Sequence, residues 1–317
     1  MKTTFVVSVS YCYLFALNCT INAAKYFGTT ADFNVIYAND ISQEMIDSYS
    51  NKFPFEIKWH PLEPLYARLP ITAVTRKPSR FWSTPWLLAS ELLDEYDSIC
   101  ILQADEMLMT NVDSLFRMAA MSDVLIAAEY HMGLEAEDLP FGTTRTILHR
   151  GYYSFYDQLV FVGKANKQIL VDTYMQQCAE RWTDAPQTEI DDPLCSLNQS
   201  CATRLNKGRV FGLDSNTWTY DNGGWSRRKL RYDQTKKALY DGDIRLHGMH
   251  TKWWLNGIIP SAIERELYPE TKEIIAHNYN LERDLMVFFN ELTPATRCEA
   301  YDHTPFITGE KNDLSGM

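Results

Sequence analysis

The chain of 317 residues is long enough for one large domain or two small ones. Its composition, 45% hydrophobic and 22% charged, is that of a globular protein with ample material for a core. The formal net charge of −11 argues against a non-specific nucleic-acid binder, because binding to phosphates depends on excess positive charge. No stretch approaches the roughly 20 consecutive apolar residues of a membrane-spanning helix.

The first 60 residues alternate between strand-like and helix-like patterns. Strands are predicted at residues 4–9, 32–38 and 55–59, and helices at residues 13–26 and 41–49. This alternation indicates a parallel sheet that is covered by helices on both faces. Residues 1–24 also have a signal-peptide interpretation, with a basic start, an apolar run and small residues. Because polar residues interrupt that run, we favour a first strand followed by a helix.

The middle of the chain continues the pattern with longer loops. Helices are predicted at residues 81–93, 112–121 and 166–181, and strands at residues 97–102, 123–128, 157–163 and 208–213. Residues 130–155 and 214–243 are predicted to be loops, and residues 263–292 to be mostly helical. Long loops in compact domains are often lids over binding sites.

Seven cysteines occur without a CxxC pair or the Cys and His spacing of a zinc site. Their odd number and the apolar surroundings of Cys12, Cys19 and Cys100 favour buried thiols in a reducing compartment. The sequence therefore predicts a cytoplasmic protein, with secretion as the alternative.

Oxygen-bearing side chains cluster directly after the strand predicted at residues 97–102. They are Gln103, Asp105 and Glu106. Ligands of open α/β sheets bind at the carboxyl ends of strands. Gln103 and Asp105 are two residues apart, so on an extended segment they point the same way towards one ion. A strand that simply ends in a polar turn is the alternative.

Four separated segments occur in an order that is typical of a known family. They are the first strand with its turn, residues 96–105, residues 189–194 and residues 246–254. Together they resemble glycosyltransferase family 8, the group of glycogenin and bacterial galactosyltransferases. The resemblance implies an α/β chain with the GT-A fold, a mixed, mostly parallel sheet flanked by helices. It also implies a nucleotide-sugar donor, manganese and retention of the anomeric configuration. We predict a catalytic domain at residues 1–260, a helical extension at 261–303 and a flexible tail at 304–317.

The resemblance implies that two of these segments share a divalent cation, Mn2+ or Mg2+. Asp105 matches the second residue of the family's Asp-x-Asp motif, while Gln103 stands at the first position, with Ala104 between them. His247 matches the His of the family's His-Gly-x-x-Lys-Pro-Trp motif, which binds the metal. Gln103 offers a neutral oxygen where hard cations favour a carboxylate, so Glu106 is a candidate replacement. A surface turn is the alternative for the histidine segment.

Other matched positions are implied to bind the donor. Gly248 would let the backbone approach phosphate, and Lys252 would neutralise the diphosphate, although one extra residue precedes this Lys and the family Pro is missing. His250 is a spare candidate for the metal ligand. Asp157 corresponds to a family Asn at the donor sugar, and Arg80 lies near a family Arg at the nucleotide.

Ala104 is a predicted donor contact, and the turn after the first strand is the family's base-binding position. Here it carries Ser8, Ser10 and Tyr13 instead of the usual acidic residues with a Tyr. Stacking on the Tyr is therefore retained, while the base contact differs. Uridine is the base that the resemblance implies.

Asp191 and Asp192 match loosely a family segment that lies beneath the donor sugar. Asp192 takes the position of a family Gln. A carboxylate there would be a nucleophile for double displacement, or would stabilise an oxocarbenium-like transition state. The alternative is a helix N-terminus, where acidic residues and Pro are common.

The sequence thus predicts transfer of a sugar from a nucleotide sugar, with a UDP-sugar as the expected donor, to a hydroxyl of a glycan or another compound. A phage-type transferase acting on hydroxymethylated DNA bases is one alternative, because basic clusters occur at residues 76–80 and 227–231. A protein that binds nucleotide sugar or glycan without turnover is another, favoured by the missing first Asp. A secreted binding module is the third. The sugar, the linkage and the oligomeric state are not specified by the sequence.

Overall fold

The computed structural model describes residues 1–10, 13–50, 56–70, 78–104, 106–129, 155–179, 210–218, 230–233, 235–236 and 238–250. The strands in these ranges are β1 (Thr3–Val9), β2 (Asp32–Tyr37), β3 (Ile57–Pro61), β4 (Ser98–Leu102), β5 (Glu106–Leu108), β6 (Leu125–Glu129), β7 (Phe155–Gly163), β8 (Val210–Leu213), β9 (Leu230–Asp233), β10 (Ala238–Asp241), β11 (Ile244–Arg245) and β12 (Gly248–His250). The helices are α1 (Leu14–Tyr26), α2 (Gln43–Ser50), α3 (Leu62–Tyr66), α4 (Pro78–Leu92), α5 (Asp113–Met121), α6 (Lys167–Ala179) and α7 (Ser215–Trp218), and a 3-10 turn at Lys164–Asn166 precedes α6.

A seven-stranded sheet forms the centre, in the order β3-β2-β1-β4-β7-β6-β8. Strands β3, β2, β1 and β4 are parallel. Strand β7 runs antiparallel between β4 and β6, and β8 is parallel to β6. The mixed, mostly parallel sheet that the sequence predicted is therefore confirmed.

The core lies on both faces of this sheet. On β1, Phe5 and Val7 belong to a cluster that includes residues of α1 and α5, while Val6 belongs to a second cluster with residues of α4 and α6. Successive side chains of a strand point to opposite faces, so a strand covered on both sides must be apolar throughout. Every residue of β4 is buried for this reason. Because β4 is buried along its whole length, the residues that follow it lie at the carboxyl edge of the sheet.

Several element boundaries agree with local chemistry. Helix α1 is followed at Gly28 by a positive φ of 73°, a conformation that favours glycine after a helix. Helix α4 begins at Pro78, where a proline's missing N–H is tolerated, and continues through Pro85.

The prediction of a loop over residues 214–243 was wrong in part. Helix α7 lies there, and β9, β10 and β11 form an antiparallel meander. Asp241 pairs with Ile244 across a two-residue turn in which Gly242 has a φ of 59°. A two-residue Gly-Asp loop, here Gly242 and Asp243, is a hairpin signal, but the flanking strands lack the apolar alternation that normally accompanies it.

The predicted helical extension at 261–303, the tail at 304–317 and the domain boundary at residue 260 lie outside the described residues. Most of the loop predicted at 130–155 does as well. No helix within the described ranges has the length and apolar character needed to cross a bilayer.

Candidate functional site

A tight turn joins β4 to β5 at the carboxyl end of β4. The N–H of Glu106 donates to the carbonyl of Gln103 at 3.1 Å, which closes the turn. The buried hydroxyl of Thr20, on α1, lies 2.9 Å from the carbonyl oxygen of Ala104 and 3.3 Å from that of Glu106. Asp105 itself lies outside the described residues, whereas its neighbours on both sides are placed. Helix α1 thus fixes the turn that carries the candidate metal ligand.

The strand that follows this turn pairs with the strand that follows His247. Strands β5 and β12 are antiparallel, with Leu108 opposite Gly248 and Glu106 opposite His250. The N–H of Met109 donates to the carbonyl of His247 at 2.7 Å and extends the ladder. Two segments that are distant in the sequence are therefore hydrogen-bonded neighbours beside the carboxyl end of β4.

His247 is held between this ladder and α7. Its N–H donates to the carbonyl of Thr217 at 2.6 Å, and its ring stacks on Trp218 with the centroids 4.9 Å apart and the planes at 26°. Burial lowers the pKa of His247, and the charge of Arg245 lowers it further. The imidazole is therefore neutral near neutral pH, and a neutral imidazole is the form that binds metal ions.

The fit of His247 to a cation is supported by one further observation. Its Nδ1 is buried and has no hydrogen-bond partner among the described residues. A buried polar atom normally finds a partner, and a bound cation is one explanation for such an atom. No group of three His, Cys, Asp or Glu that could hold an ion occurs within the described ranges, which do not include Asp105.

Gly248 is required by a close approach of the backbone. A Cβ at this position would overlap the carbonyl oxygen of Trp218 and would lie 3.0 Å from Oε1 of the fully buried Glu106. The close approach in the structure is thus to α7, and contact of Gly248 with phosphate stays a prediction. The sequence analysis found Gly248 but missed Trp218, which no local pattern connects with it.

The predicted base-binding turn lies at the same edge of the sheet. The N–H of Tyr13 donates to the carbonyl of Ser10 at 2.9 Å, which joins the end of β1 to α1. Ser10 is buried, whereas Ser8 and Tyr13 are half-buried. Because β1 and β4 are adjacent and parallel, this turn and the turn after β4 lie side by side.

The roles of the remaining predicted site residues stay predictions. Asp157 lies in β7 and Arg80 in α4. Lys252, Asp191 and Asp192 lie outside the described residues.

Solved structures with a similar fold include a glycosyltransferase. An active-site mutant of LgtC aligns with a TM-score of 0.51 at 17% identity, covering 78% of this chain and 86% of that chain. The apo form of the bifunctional glycosyltransferase WbbM aligns with a TM-score of 0.52 at 12% identity, covering 78% of this chain and 45% of that chain. No protein-family model and no curated protein sequence matches this chain. At these identities the likeness concerns the fold alone, and the chain has the GT-A fold.

Proposed function

We propose that this protein is a metal-dependent glycosyltransferase that moves a sugar from a nucleotide sugar to an acceptor hydroxyl. The observation that carries the proposal is the pairing of β5 with β12, because it brings the segment after Asp105 beside the segment after His247. The GT-A fold supports the class of reaction.

The cation site of this proposal consists of Asp105, Gln103 and His247. Oxygen ligands and a neutral imidazole together suit Mn2+, and the two oxygen ligands suit Mg2+. A bound divalent cation supplies Lewis-acid neutralisation of the leaving diphosphate. His247 fits because its buried Nδ1 has no partner among the described residues and because its pKa is lowered, so the ring does not repel a cation.

The donor is proposed to lie along the carboxyl edge of the sheet, with UDP as its nucleotide. Residues proposed to contact it are Ser8, Ser10, Tyr13, Arg80, Ala104, Asp157, Gly248 and Lys252. Lys252 helps the cation to neutralise the negative charge of the diphosphate. Asp192, with Asp191 beside it, acts at the anomeric carbon in one of two ways, each of which retains the anomeric configuration. As the nucleophile of a double displacement it would form a covalent glycosyl intermediate while the nucleotide leaves, and the acceptor hydroxyl would then displace the carboxylate; in a front-face reaction it would stabilise the oxocarbenium-like transition state. The acceptor is a hydroxyl of a glycan or of another compound.

The decisive experiment is a thermal-shift screen of UDP-sugars with and without Mn2+. Asp105→Asn and His247→Gln should lose the Mn2+-dependent part of the shift, because the first removes the only charged proposed ligand and the second removes the imidazole. Asp113→Asn and His60→Gln are matched controls that change the same residue types elsewhere, and both should keep it. A Mn2+-dependent shift of wild-type size in both site variants would show that the cation binds elsewhere and would overturn the proposal.

Binding of nucleotide sugar without turnover is the second candidate, because Gln103 stands where a carboxylate is expected. Mass spectrometry of a donor incubated with the protein and Mn2+ separates the two. Release of nucleotide supports the transferase, and an intact donor with a clear thermal shift supports the binding protein.

A further inference from the structure

The backbone of His247 is fixed from two sides. Its N–H donates to the carbonyl of Thr217 on α7, and its carbonyl accepts the N–H of Met109 beside β5. The carbonyl oxygen of Trp218 also packs against Gly248 so closely that no Cβ fits between them. The position of the His247 Cα is thus set by α7 as much as by the β5–β12 ladder.

The ring of His247 still has two side-chain torsions to be fixed. Metal-binding histidines are usually oriented by a hydrogen bond from the second ring nitrogen to a carboxylate or a carbonyl. Nδ1 of His247, the atom proposed to bind the cation, has no hydrogen-bond partner among the described residues and so does not anchor the ring before the cation binds. The nearest constraint on the ring is the indole of Trp218, which stacks on it at a centroid distance of 4.9 Å and an interplanar angle of 26°.

We propose that Trp218 is the positioning residue of the cation site: its indole face orients the His247 imidazole by stacking. This inference rests on the proposed function, in which His247 is a metal ligand. Trp218 does not bind the cation itself. It limits the orientations of the free imidazole, so that less conformational entropy is lost when the ring binds the cation, and it keeps water away from one face of the ring.

The stack can be tested in the metal-free protein, independently of any function. The chain has seven histidines, so NMR spectra of isotope-labelled histidine should show seven ring signals, and His247→Gln identifies one of them. The signal of His247 should be displaced upfield by the ring current of the indole. Trp218→Leu should abolish the displacement and Trp218→Phe should retain part of it. A wild-type His247 signal without displacement would overturn the inference, even if every Trp218 variant failed to fold.

The consequence for the cation is measured by titration with Mn2+ alone. Trp218→Leu should weaken Mn2+ binding about 10-fold, the lower end of what loss of an orienting partner costs a metal site. Trp218→Phe should restore most of the affinity. In the His247→Gln background, Trp218→Leu should cause no further loss, since both changes act through one side chain. Trp59→Leu is the matched control: it removes a half-buried Trp that pairs with Tyr37 at the far edge of the sheet, and it should leave Mn2+ binding unchanged.

The two proposals fail in different ways. If His247→Gln binds Mn2+ as tightly as the wild type, the metal role of His247 and the proposed function are wrong. If His247→Gln is weakened while Trp218→Leu binds as the wild type does, the cation site stands and only the positioning role of Trp218 is overturned.

Discussion

Replacement of Gly248 by alanine is the sharpest test of how the candidate site is built. The added Cβ would overlap the carbonyl oxygen of Trp218, and it would lie 3.0 Å from the carbonyl carbon of Trp218 and 3.0 Å from Oε1 of Glu106. A backbone carbonyl cannot rotate away as a side chain does, so α7 or β12 must shift. Overpacking of this kind typically lowers the free energy of unfolding by about 1–3 kcal/mol. Since about 1 kcal/mol corresponds to about 2–4 °C in domains of 150–250 residues, Tm should fall by several degrees.

Gly163 provides a matched control for this change. A Cβ at Gly163 would overlap the carbonyl oxygen of Ala119 and would lie 2.8 Å from its carbon, at the contact between β7 and α5. Differential scanning calorimetry should show similar losses of Tm for Gly163→Ala and Gly248→Ala. Mn2+ titration, at a temperature where both variants are folded, should show weaker binding for Gly248→Ala alone, because β12 adjoins His247.

Two outcomes would refute this reasoning separately. A wild-type Tm for Gly248→Ala would mean that the close approach of Trp218 and Gly248 is not a packing constraint. A lowered Tm with unchanged Mn2+ affinity would mean that the position of β12 does not control the cation site.

Two further predictions concern a buried hydroxyl and a half-buried imidazole. Thr20→Val should lower the free energy of unfolding by about 1–3 kcal/mol in denaturant titrations, because two carbonyls of the turn at residues 103–106 lose the buried hydroxyl beside them. Thr173→Val is the control and should cause a smaller loss, because the hydroxyl of Thr173 bonds within α6. Nε2 of His60 donates to Oδ1 of Asn34 at 2.8 Å. Burial, with a smaller effect of Lys58, lowers the pKa of His60 from the usual 6.5. His60→Gln should therefore lose less stability than the wild type as the pH falls below 6.5. The unfolded chain then binds more protons than the folded protein as the pH falls below 6.5, so wild-type stability should drop there, and equal pH profiles of Tm for both proteins would contradict this role.

The sequence predicted the central sheet because its strands are apolar on both faces. The ranges 4–9 and 97–102 are mostly apolar in the sequence, and they lie in the buried strands β1 and β4. Strands β5 and β12 escaped prediction, because three residues are too few to display a period. Their pairing is a long-range event, and nothing local at either segment specifies its partner.

The order of the motifs allowed part of the candidate site to be predicted from the sequence. The matches at Asp105 and His247 led to the expectation that these segments meet, and the ladder between β5 and β12 brings the adjoining residues together. The supports of the site were not predictable in the same way. In the sequence, Thr20 is one of several polar residues of α1, and Trp218 is one aromatic residue in a polar stretch. Only the fold places Thr20 against the turn and Trp218 against the histidine.

A two-stranded ladder of three residues per strand is too small to be stable alone. The ladder formed by β5 and β12 is held by α1 through the hydroxyl of Thr20 and by α7 through the carbonyls of Thr217 and Trp218. Four parts of the chain therefore meet at one short ladder, and a displacement of any one moves the others. This explains why residues outside every motif should alter cation binding as strongly as some residues within the motifs. The geometry of the candidate ligands is a property of the packed helices as well as of the ligands themselves.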